Sequence, residues 1–264
     1  MKYFGLACFF FTSFALAKTI APAELFKGKD GCFLLTELES GKVIQEFNSA
    51  LCKERISPCS TFKVPLAVMA FDTKILVDEN TKLKWDGKLR EREALNRDHT
   101  ARSWLEDSVV WFSQRITPEI GTEKIQTYLK DFGFGNQDFS GGITQAWLFS
   151  SLKVSAREQV EFLRRLKLGK LKVAKDAVVK TLGILPIEVD NNGKIIKGKT
   201  GSGFSWDNPK SNSEAPYRVG WYVGYLTRGS KDYVFATVFK EKSPDKQIQS
   251  SGKEARKIAV KLME

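Results

Sequence analysis

Short runs rich in apolar, β-branched and aromatic residues, bounded by polar turn residues, occur in the first and last parts of the chain and are typical of strands. Residues 32–38 and 43–47 are strand-like runs on either side of a turn of sequence Glu-Ser-Gly-Lys, and this pattern predicts a β-hairpin. Residues 194–199, 219–227 and 232–239 carry three more strand patterns. We therefore expect strands at both ends of the chain.

Apolar residues recur at helical spacing in the middle of the chain and at its end. The predicted helices cover residues 60–71, 101–115, 118 onward, 155–168, 175–182 and 251–263. Ser155 and Glu158 form a capping-box pattern at the start of one helix, and Pro118 is placed in the first turn of another. The predicted fold class is α+β, with an antiparallel sheet flanked by N- and C-terminal helices and an all-helical subdomain at about residues 72–185.

The first residues of the chain have the features of a secretory signal peptide. Lys2 supplies a positive charge, an apolar run follows, and Ala15-Leu16-Ala17 matches the small-x-small cleavage pattern. The apolar run is shorter than a membrane-spanning helix requires. We expect residues 1–17 to be removed, leaving a single domain over residues 18–264 that is periplasmic and not membrane-bound.

Export changes the interpretation of the cysteines, because disulfides persist in oxidising compartments. Cys8 would leave with the signal peptide, and Cys32, Cys52 and Cys59 would remain, which allows one disulfide in three possible pairings. The pair Cys52–Cys59 is favoured, since both flank a short polar loop. Cys32 lies in an apolar run typical of a small buried side chain. The spacing does not suit zinc, and with His99 as the single histidine we expect no metal.

Composition and charge narrow the function classes. The 264-residue chain is 42% hydrophobic, which is enough for a full-sized core. Its formal net charge of +11 at pH 7 would permit a nucleic-acid surface. The lysines are spread along the sequence, so we expect no nucleic-acid partner, and the charge favours attraction of small anions instead.

Residues 57–70 pass from turn formers to apolar helix formers, and Ser60 and Lys63 stand where the predicted helix begins. Positions i and i+3 share a helix face, so the hydroxyl and the amine can meet. The first turn of a helix has free N–H groups, so Ser60 would carry an oxyanion donor at its own amide. Alone, this pattern is also typical of an N-cap serine followed by a solvated lysine.

Three further short motifs follow the serine–lysine pair. They are Ser108-Val109-Val110 in an apolar helical stretch, Phe134-Gly135-Asn136 in a glycine-rich loop and Lys199-Thr200-Gly201 at a strand end. Separately, these motifs are typical of a helix-interior serine, a turn and an ordinary strand terminus. Their combination, in this order and behind a signal peptide, is very unusual for unrelated chains.

This set of motifs resembles the penicillin-recognising serine acyltransferases, and among them the class D β-lactamases. The apolar residues after Ser108, where class A enzymes have Ser-Asp-Asn, favour class D. Residues 85–87 and 145–148 also resemble family segments, and the resemblance covers essentially the whole mature chain. One departure is Phe134, where the family usually has tyrosine. The resemblance implies hydrolysis of the β-lactam amide bond of penicillins.

The resemblance also implies a role for each motif residue. Ser60 would be the nucleophile, and the amides of Ser60 and Ser202 would form the oxyanion hole. Lys63 would be carbamylated and act as general base, steadied by the indole N–H of Trp147, so carbon dioxide or bicarbonate would be required but no other cofactor. The remaining residues would pass a proton to the leaving nitrogen or bind the substrate: Ser108 and Lys199 for the proton, and Lys199, Thr200, Gly201 and Ser202 for the substrate.

The residue that anchors the substrate carboxylate is a second departure from the family pattern. Many class D enzymes use an arginine before the last helix, and no arginine occurs over residues 246–253. Lys253 is the predicted replacement, with a solvated helix-start lysine as the alternative. The alternative functions are a β-lactam sensor domain and a D,D-peptidase, which acylate without fast turnover. Monomer and homodimer both stay open.

Overall fold

A six-stranded antiparallel sheet forms the centre of the molecule. The computed structural model describes residues 21–189, 193–205, 217–242 and 251–264. The strands in chain order are β1 (Asp30–Glu37), β2 (Val43–Phe47), β3 (Lys82–Leu83), β4 (His99–Thr100), β5 (Ile187–Val189), β6 (Ile195–Ser205), β7 (Tyr217–Arg228) and β8 (Lys231–Lys242). The order across the sheet is β2-β1-β8-β7-β6-β5, and β3 pairs with β4 separately. The predicted hairpin and the three later strand patterns are confirmed.

Helices cover both faces of the sheet. They are α1 (Pro22–Leu25), α2 (Ser49–Lys53), α3 (Lys63–Asp72), α4 (Ala101–Glu106), α5 (Val110–Ile120), α6 (Thr122–Phe132), α7 (Ala156–Lys167), α8 (Lys175–Gly183) and α9 (Ser251–Leu262). The Ser155 side chain accepts a hydrogen bond from the Glu158 amide and completes the predicted capping box of α7. The α+β fold class is confirmed.

The sheet separates two apolar cores. In β1, Cys32 and Leu34 belong to the larger core on the side of α3 and α5. Phe33 and Leu35 belong to the second core, which α9 covers with Ala255 and other residues. Successive side chains of a strand point to opposite faces, so covering both faces buries nearly every residue of β1. Helix α7 packs on this face of the sheet, and α3 lies in the same core in contact with α5 and α8.

The helices of the middle segment differ from the sequence prediction in two places. The stretch predicted as one helix over residues 101–115 is two helices, α4 and α5, and Ser108 lies between them with φ 56°. Pro118 does not begin a helix, because it lies in the last turn of α5. The break falls instead at Gly121, whose φ of 86° favours glycine.

The disulfide joins Cys32 to Cys52, so the predicted pair Cys52–Cys59 is wrong. Helix α2 packs on β1 and places the two Cα atoms 5.3 Å apart, which suits a disulfide. Cys59 is a free thiol without exposed surface, and burial raises its pKa to about 12. Proximity in sequence was therefore a poor guide, because tertiary packing brings the distant Cys32 to Cys52.

Two other predictions concern export and the membrane. The predicted signal peptide, residues 1–17, lies outside the described residues. Across the part of the chain that the structure describes, every helix is too short or too polar to cross a membrane.

Candidate active site

Ser60 and Lys63 meet at the start of α3. Residues Cys59–Phe62 form a 3-10 turn, and α3 continues from it without a break, so the two side chains share one face. Lys63 Nζ lies 3.0 Å from Ser60 Oγ. The Lys63 side chain has no exposed surface, and this burial, followed by the positive charge of Lys199, holds its pKa well below the ordinary value. A basic amine is therefore positioned against a hydroxyl.

Ser108 and Lys199 form a second serine–lysine pair. Ser108 stands in the break between α4 and α5, not inside a helix, and its positive φ turns it out of the helical pattern. Lys199 Nζ lies 3.0 Å from Ser108 Oγ and donates a second hydrogen bond of 3.0 Å to the Thr200 carbonyl. Burial, and then the positive charge of Arg92, lowers the pKa of Lys199 to about 7.

Strand β6 packs against the turn that carries Ser60. The Gly198 amide donates to the Pro186 carbonyl at 3.0 Å, away from β7. Because amides alternate between the two edges of a strand, the Ser202 amide points to this same edge. A Cβ on Gly201 would lie 3.0 Å from the Pro58 carbonyl oxygen, so β6 lies in close contact with the turn. This approach requires a residue as small as glycine.

Trp147 is buried next to the same turn. Its carbonyl accepts hydrogen bonds from Ser57 Oγ at 2.9 Å and from the Cys59 amide at 3.0 Å. Its ring stacks on Phe62 with 5.3 Å between the centroids. Its indole Nε1 is buried and has no hydrogen-bond partner among the described residues. A buried N–H without a partner is costly, which is a reason to look for an acceptor at this position.

The Phe134-Gly135-Asn136 motif lies behind the site and does not line the cavity described below. Asn136 donates to the Ser151 carbonyl at 2.8 Å and accepts from the Lys153 amide at 2.9 Å. Phe134 packs its ring near Phe62, with 6.2 Å between the centroids. The motif therefore supports the segment that carries Trp147.

A cavity of about 550 Å³ opens above the two serine–lysine pairs. Five of its lining residues were singled out from sequence: Ser60, Ser108, Thr200, Ser202 and Lys253. Lys63, Lys199 and Trp147 lie beneath this surface, each with at most 2% of its surface exposed. Lys253 is exposed at the rim.

Val110 of the Ser108-Val109-Val110 motif also lines the cavity, and sequence reasoning missed the rest of the lining, which consists of Arg92, Leu95, Glu106 and Asp107. Arg92 and Leu95 stand in a polar, charge-rich stretch that looks like an ordinary surface loop. The family-like segment at residues 85–87 was the nearest sequence signal to this loop. Position in a loop gives no local pattern that marks a residue as facing a cavity.

The arrangement has the parts that acyl transfer needs. A hydroxyl faces a cavity, a buried amine lies in hydrogen-bond contact with it, and a strand edge provides a further N–H. A second lysine lies where a substrate anion or a leaving group could reach it. Throughout the described ranges, no group of three or more histidine, cysteine, aspartate or glutamate side chains is placed to hold a metal ion.

Known proteins are similar to this chain in both sequence and fold. The penicillin-binding protein transpeptidase domain family matches residues 23–264. Beta-lactamase OXA-1 of Escherichia coli is 41% identical over 222 residues, which cover 81% of this chain and 78% of OXA-1. The structure of BPu1 beta-lactamase superposes with a TM-score of 0.80 at 34% identity, covering 94% of this chain and 96% of that one.

A longer protein is also similar, over part of its length. The methicillin resistance mecR1 protein of Staphylococcus aureus is 30% identical over 252 residues, which are 96% of this chain and 40% of that protein. The β-lactamase relatives match with higher identity and over most of their own length. From its motifs, its fold and these relatives, the chain belongs to the class D β-lactamase family.

Proposed function

We propose that the protein hydrolyses the β-lactam amide bond of penicillins through an acyl-enzyme on Ser60, with carbamylated Lys63 as the general base. The observation that carries this proposal is the buried Lys63 amine at 3.0 Å from the Ser60 hydroxyl, at the floor of an open cavity. Burial keeps the amine neutral at a pH where an exposed lysine is charged. A neutral amine is basic and nucleophilic.

The reaction has two halves. The base at Lys63 takes the proton of Ser60 as Ser60 Oγ bonds to the lactam carbonyl carbon, and the carbon–nitrogen bond of the ring breaks. The leaving nitrogen takes a proton from Ser108, Lys199 at 3.0 Å replaces that proton, and the proton held by the base returns to Lys199. Water then attacks the ester carbon while the base at Lys63 takes one of its protons, and the base passes that proton to Ser60 as the ester bond breaks. The product is the ring-opened acid.

Two backbone amides support the proposed oxyanion hole. Ser60 lies in the first turn of a continuous helical segment, where amides lack intrahelical acceptors. The Ser202 amide points to the edge of β6 away from β7, and Ser202 lines the same cavity as Ser60. Loss of one such donor typically reduces kcat by about 100- to 1000-fold.

The residues around Lys63 fit a carbamate. The neutral amine is the form that reacts with carbon dioxide, and the unpartnered indole N–H of Trp147 is a suitable donor for a carbamate oxygen. The carbamate would supply a carboxylate-like base next to Ser60. Apart from the carbamate, the groups proposed to bind and orient the substrate are unmodified side chains and backbone amides of the protein.

The substrate carboxylate is proposed to bind along the start of α9 and the end of the Lys-Thr-Gly motif. Thr200 and Lys253 line the cavity there, and the Gly252 amide donates to Ser202 Oγ at 2.8 Å. This bond fixes Lys253 relative to β6. Gly201 has no side chain and allows β6 to approach the Ser60 turn.

Steady-state hydrolysis of benzylpenicillin, with and without added bicarbonate, tests the proposal. We expect sustained turnover that increases with bicarbonate. A stoichiometric burst without turnover would favour the alternative of a sensor domain or a D,D-peptidase. Turnover that is insensitive to bicarbonate, together with no carbamate carbon signal after labelling with ¹³C-bicarbonate, would reject the carbamate but keep the hydrolase.

We also infer that the protein is exported and loses residues 1–17. The disulfide Cys32–Cys52 supports this, because structural disulfides are typical of oxidising compartments. Expression in a bacterium followed by N-terminal sequencing of the periplasmic protein tests it. We expect Lys18 as the first residue, and a product retained in the cytoplasm with Met1 would contradict the inference.

A further inference from the structure

The rim of the cavity carries a cation that the proposed mechanism does not use. Arg92 lines the cavity with Ser60, Ser108 and Lys253. Within the described ranges, the guanidinium of Arg92 forms no ion pair and no side-chain hydrogen bond. Its charge reaches the cavity floor, because it contributes, after burial, to the lowered pKa of Lys199. A guanidinium without an acid partner at a cavity rim is available for an anionic ligand.

The loop around Arg92 is held on both sides. Two residues before it, the backbone of Arg90 is bonded twice to the Asn96 side chain, at 2.8 Å through the amide and at 2.9 Å through the carbonyl. Three residues after it, the Leu95 carbonyl accepts from Trp111 Nε1 at 3.0 Å. Arg92 therefore starts from a fixed backbone position, which reduces the entropy lost when its side chain binds a ligand.

The two rim cations come from different parts of the fold. Lys253 begins α9 and is tied to β6 through the bond from the Gly252 amide to Ser202 Oγ. Arg92 belongs to the loop that packs on α5. A penicillin likewise has two ends, since its ring carboxylate and its acylamino side chain extend from opposite sides of the lactam that Ser60 attacks. Ser60, Lys253 and Arg92 line one cavity, so with the ring carboxylate at Lys253 the acylamino side chain extends away from Lys253, and Arg92 is the other cation of the lining that can meet it.

Two acidic residues of the cavity lining also affect where a second substrate anion can bind. Asp107 lines the cavity but is paired with Arg97 at 3.0 Å. Glu106 also lines the cavity and is exposed. A second anion on the substrate is repelled by Glu106 and attracted by Arg92, so its position on this wall is restricted.

We propose that Arg92 binds a second carboxylate on the acylamino side chain, and that the site therefore favours penicillins which carry such an acid. The inference rests on the proposed hydrolysis of penicillins and names a substrate class for it. Arg92 acts here as a specificity residue, because it contacts the substrate side chain and not the reacting bond.

Benzylpenicillin and carbenicillin provide a matched pair of probes, since they differ only by one carboxylate on the side-chain carbon. The measurement is kcat/KM for both substrates in the wild type and in Arg92→Gln. We expect the substitution to lower the carbenicillin-to-benzylpenicillin ratio about fivefold at low salt, the size expected for a partly exposed ion pair. Arg92→Lys should retain part of the preference, because it keeps the charge but not the forked donor.

Lys88→Gln is the control for net charge. Lys88 is an exposed residue of the same loop and does not line the cavity, so its loss should leave the ratio unchanged. Added salt should reduce the wild-type ratio toward that of Arg92→Gln, because screening weakens exposed ion pairs. An equal loss on both substrates in Arg92→Gln, or the same change in Lys88→Gln, would overturn the inference. Absence of benzylpenicillin turnover in the wild type would instead reject the proposed function.

Discussion

Lys63 Nζ lies 3.0 Å from Ser60 Oγ, and the lysine side chain has no exposed surface. The short i to i+3 spacing at a helix start brings the two atoms together. Burial lowers the pKa of Lys63, because it favours the neutral amine over the ammonium ion. The two residues therefore depend on each other, since the hydroxyl needs a base and the amine has this hydroxyl as its hydrogen-bond partner.

The first prediction concerns acid pH. Below its lowered pKa, Lys63 becomes an ammonium ion, which cannot react with carbon dioxide, so turnover is lost as the pH falls through that value. Added bicarbonate favours the carbamate and should move this acid limb to lower pH. The measurement is kcat for benzylpenicillin from about pH 5 to about pH 9 with and without bicarbonate.

Lys63→Ala provides the control for that experiment. It removes the amine, so turnover should fall by at least about 100-fold at all pH values, as expected for loss of a general base. Bicarbonate should not rescue it. An acid limb that bicarbonate leaves in place in the wild type would contradict the prediction.

The second prediction concerns Trp147. Trp147→Phe keeps an aromatic ring against Phe62 but removes the buried indole N–H, which lacks a partner in the described part of the chain. Without this donor the carbamate should be lost more readily, so kcat should fall and depend more steeply on bicarbonate.

Trp104→Phe is the matched control for Trp147→Phe. Trp104 is as fully buried, but its Nε1 donates to Ser113 Oγ at 2.9 Å and is therefore already satisfied. Its substitution should cost about 1 kcal/mol of stability and leave the bicarbonate dependence unchanged. Equal bicarbonate dependence in the two variants would show that the effect is one of packing.

The third prediction concerns alkaline pH. Lys199 has a pKa lowered to about 7 by burial and by the charge of Arg92. Below this pKa Lys199 carries a charge that attracts the substrate carboxylate, and above it the charge is lost. The profile of kcat/KM, which reports the free enzyme, should therefore fall on the alkaline side with a midpoint near this value.

Lys199→Arg separates charge from other causes of an alkaline limb. Arginine stays protonated throughout, so the fall should disappear even if the absolute rate is lower. If the variant retains the same midpoint, another group controls the limb.

The fourth prediction counts thiols. In protein that begins at Lys18, Cys32 and Cys52 are paired and Cys59 is buried with its pKa raised to about 12. The folded protein should not react with a thiol reagent such as DTNB, and one thiol per chain should react after unfolding without reductant. A Cys59→Ala variant should give none. Reaction of a thiol in the folded wild type would contradict the burial of Cys59.

The local features of the fold could be read from sequence, and the long-range ones could not. The hairpin and the capping box at Ser155 depend on neighbouring residues and are confirmed. The pairing of Cys32 with Cys52 depends on how α2 packs on β1, so spacing alone gave the wrong partner. The left-handed backbone at Ser108 was missed for a similar reason, since the apolar pattern runs through the break.

In the candidate active site, too, local contacts could be predicted from sequence and long-range contacts could not. Ser60 and Lys63 share a helix face, and their contact could be expected from spacing. The pairing of Ser108 with Lys199 was suggested only by resemblance to a family, because the two residues come from distant segments. Arg92 gave no signal at all, since nothing in a polar stretch shows which charged residue faces a cavity.

The pairing of β1 with β8 in the centre of the sheet also affects how the protein folds. β1 pairs along its length with β8, so that Phe33 lies opposite Thr237. During synthesis the edge of β1 that pairs with β8 stays unpaired until β8 has been made. Contacts between residues so far apart in sequence slow folding. Chains truncated before β8 would keep that edge open and would be prone to aggregate. A stop codon anywhere before β8 should therefore abolish activity as completely as one near the start of the chain.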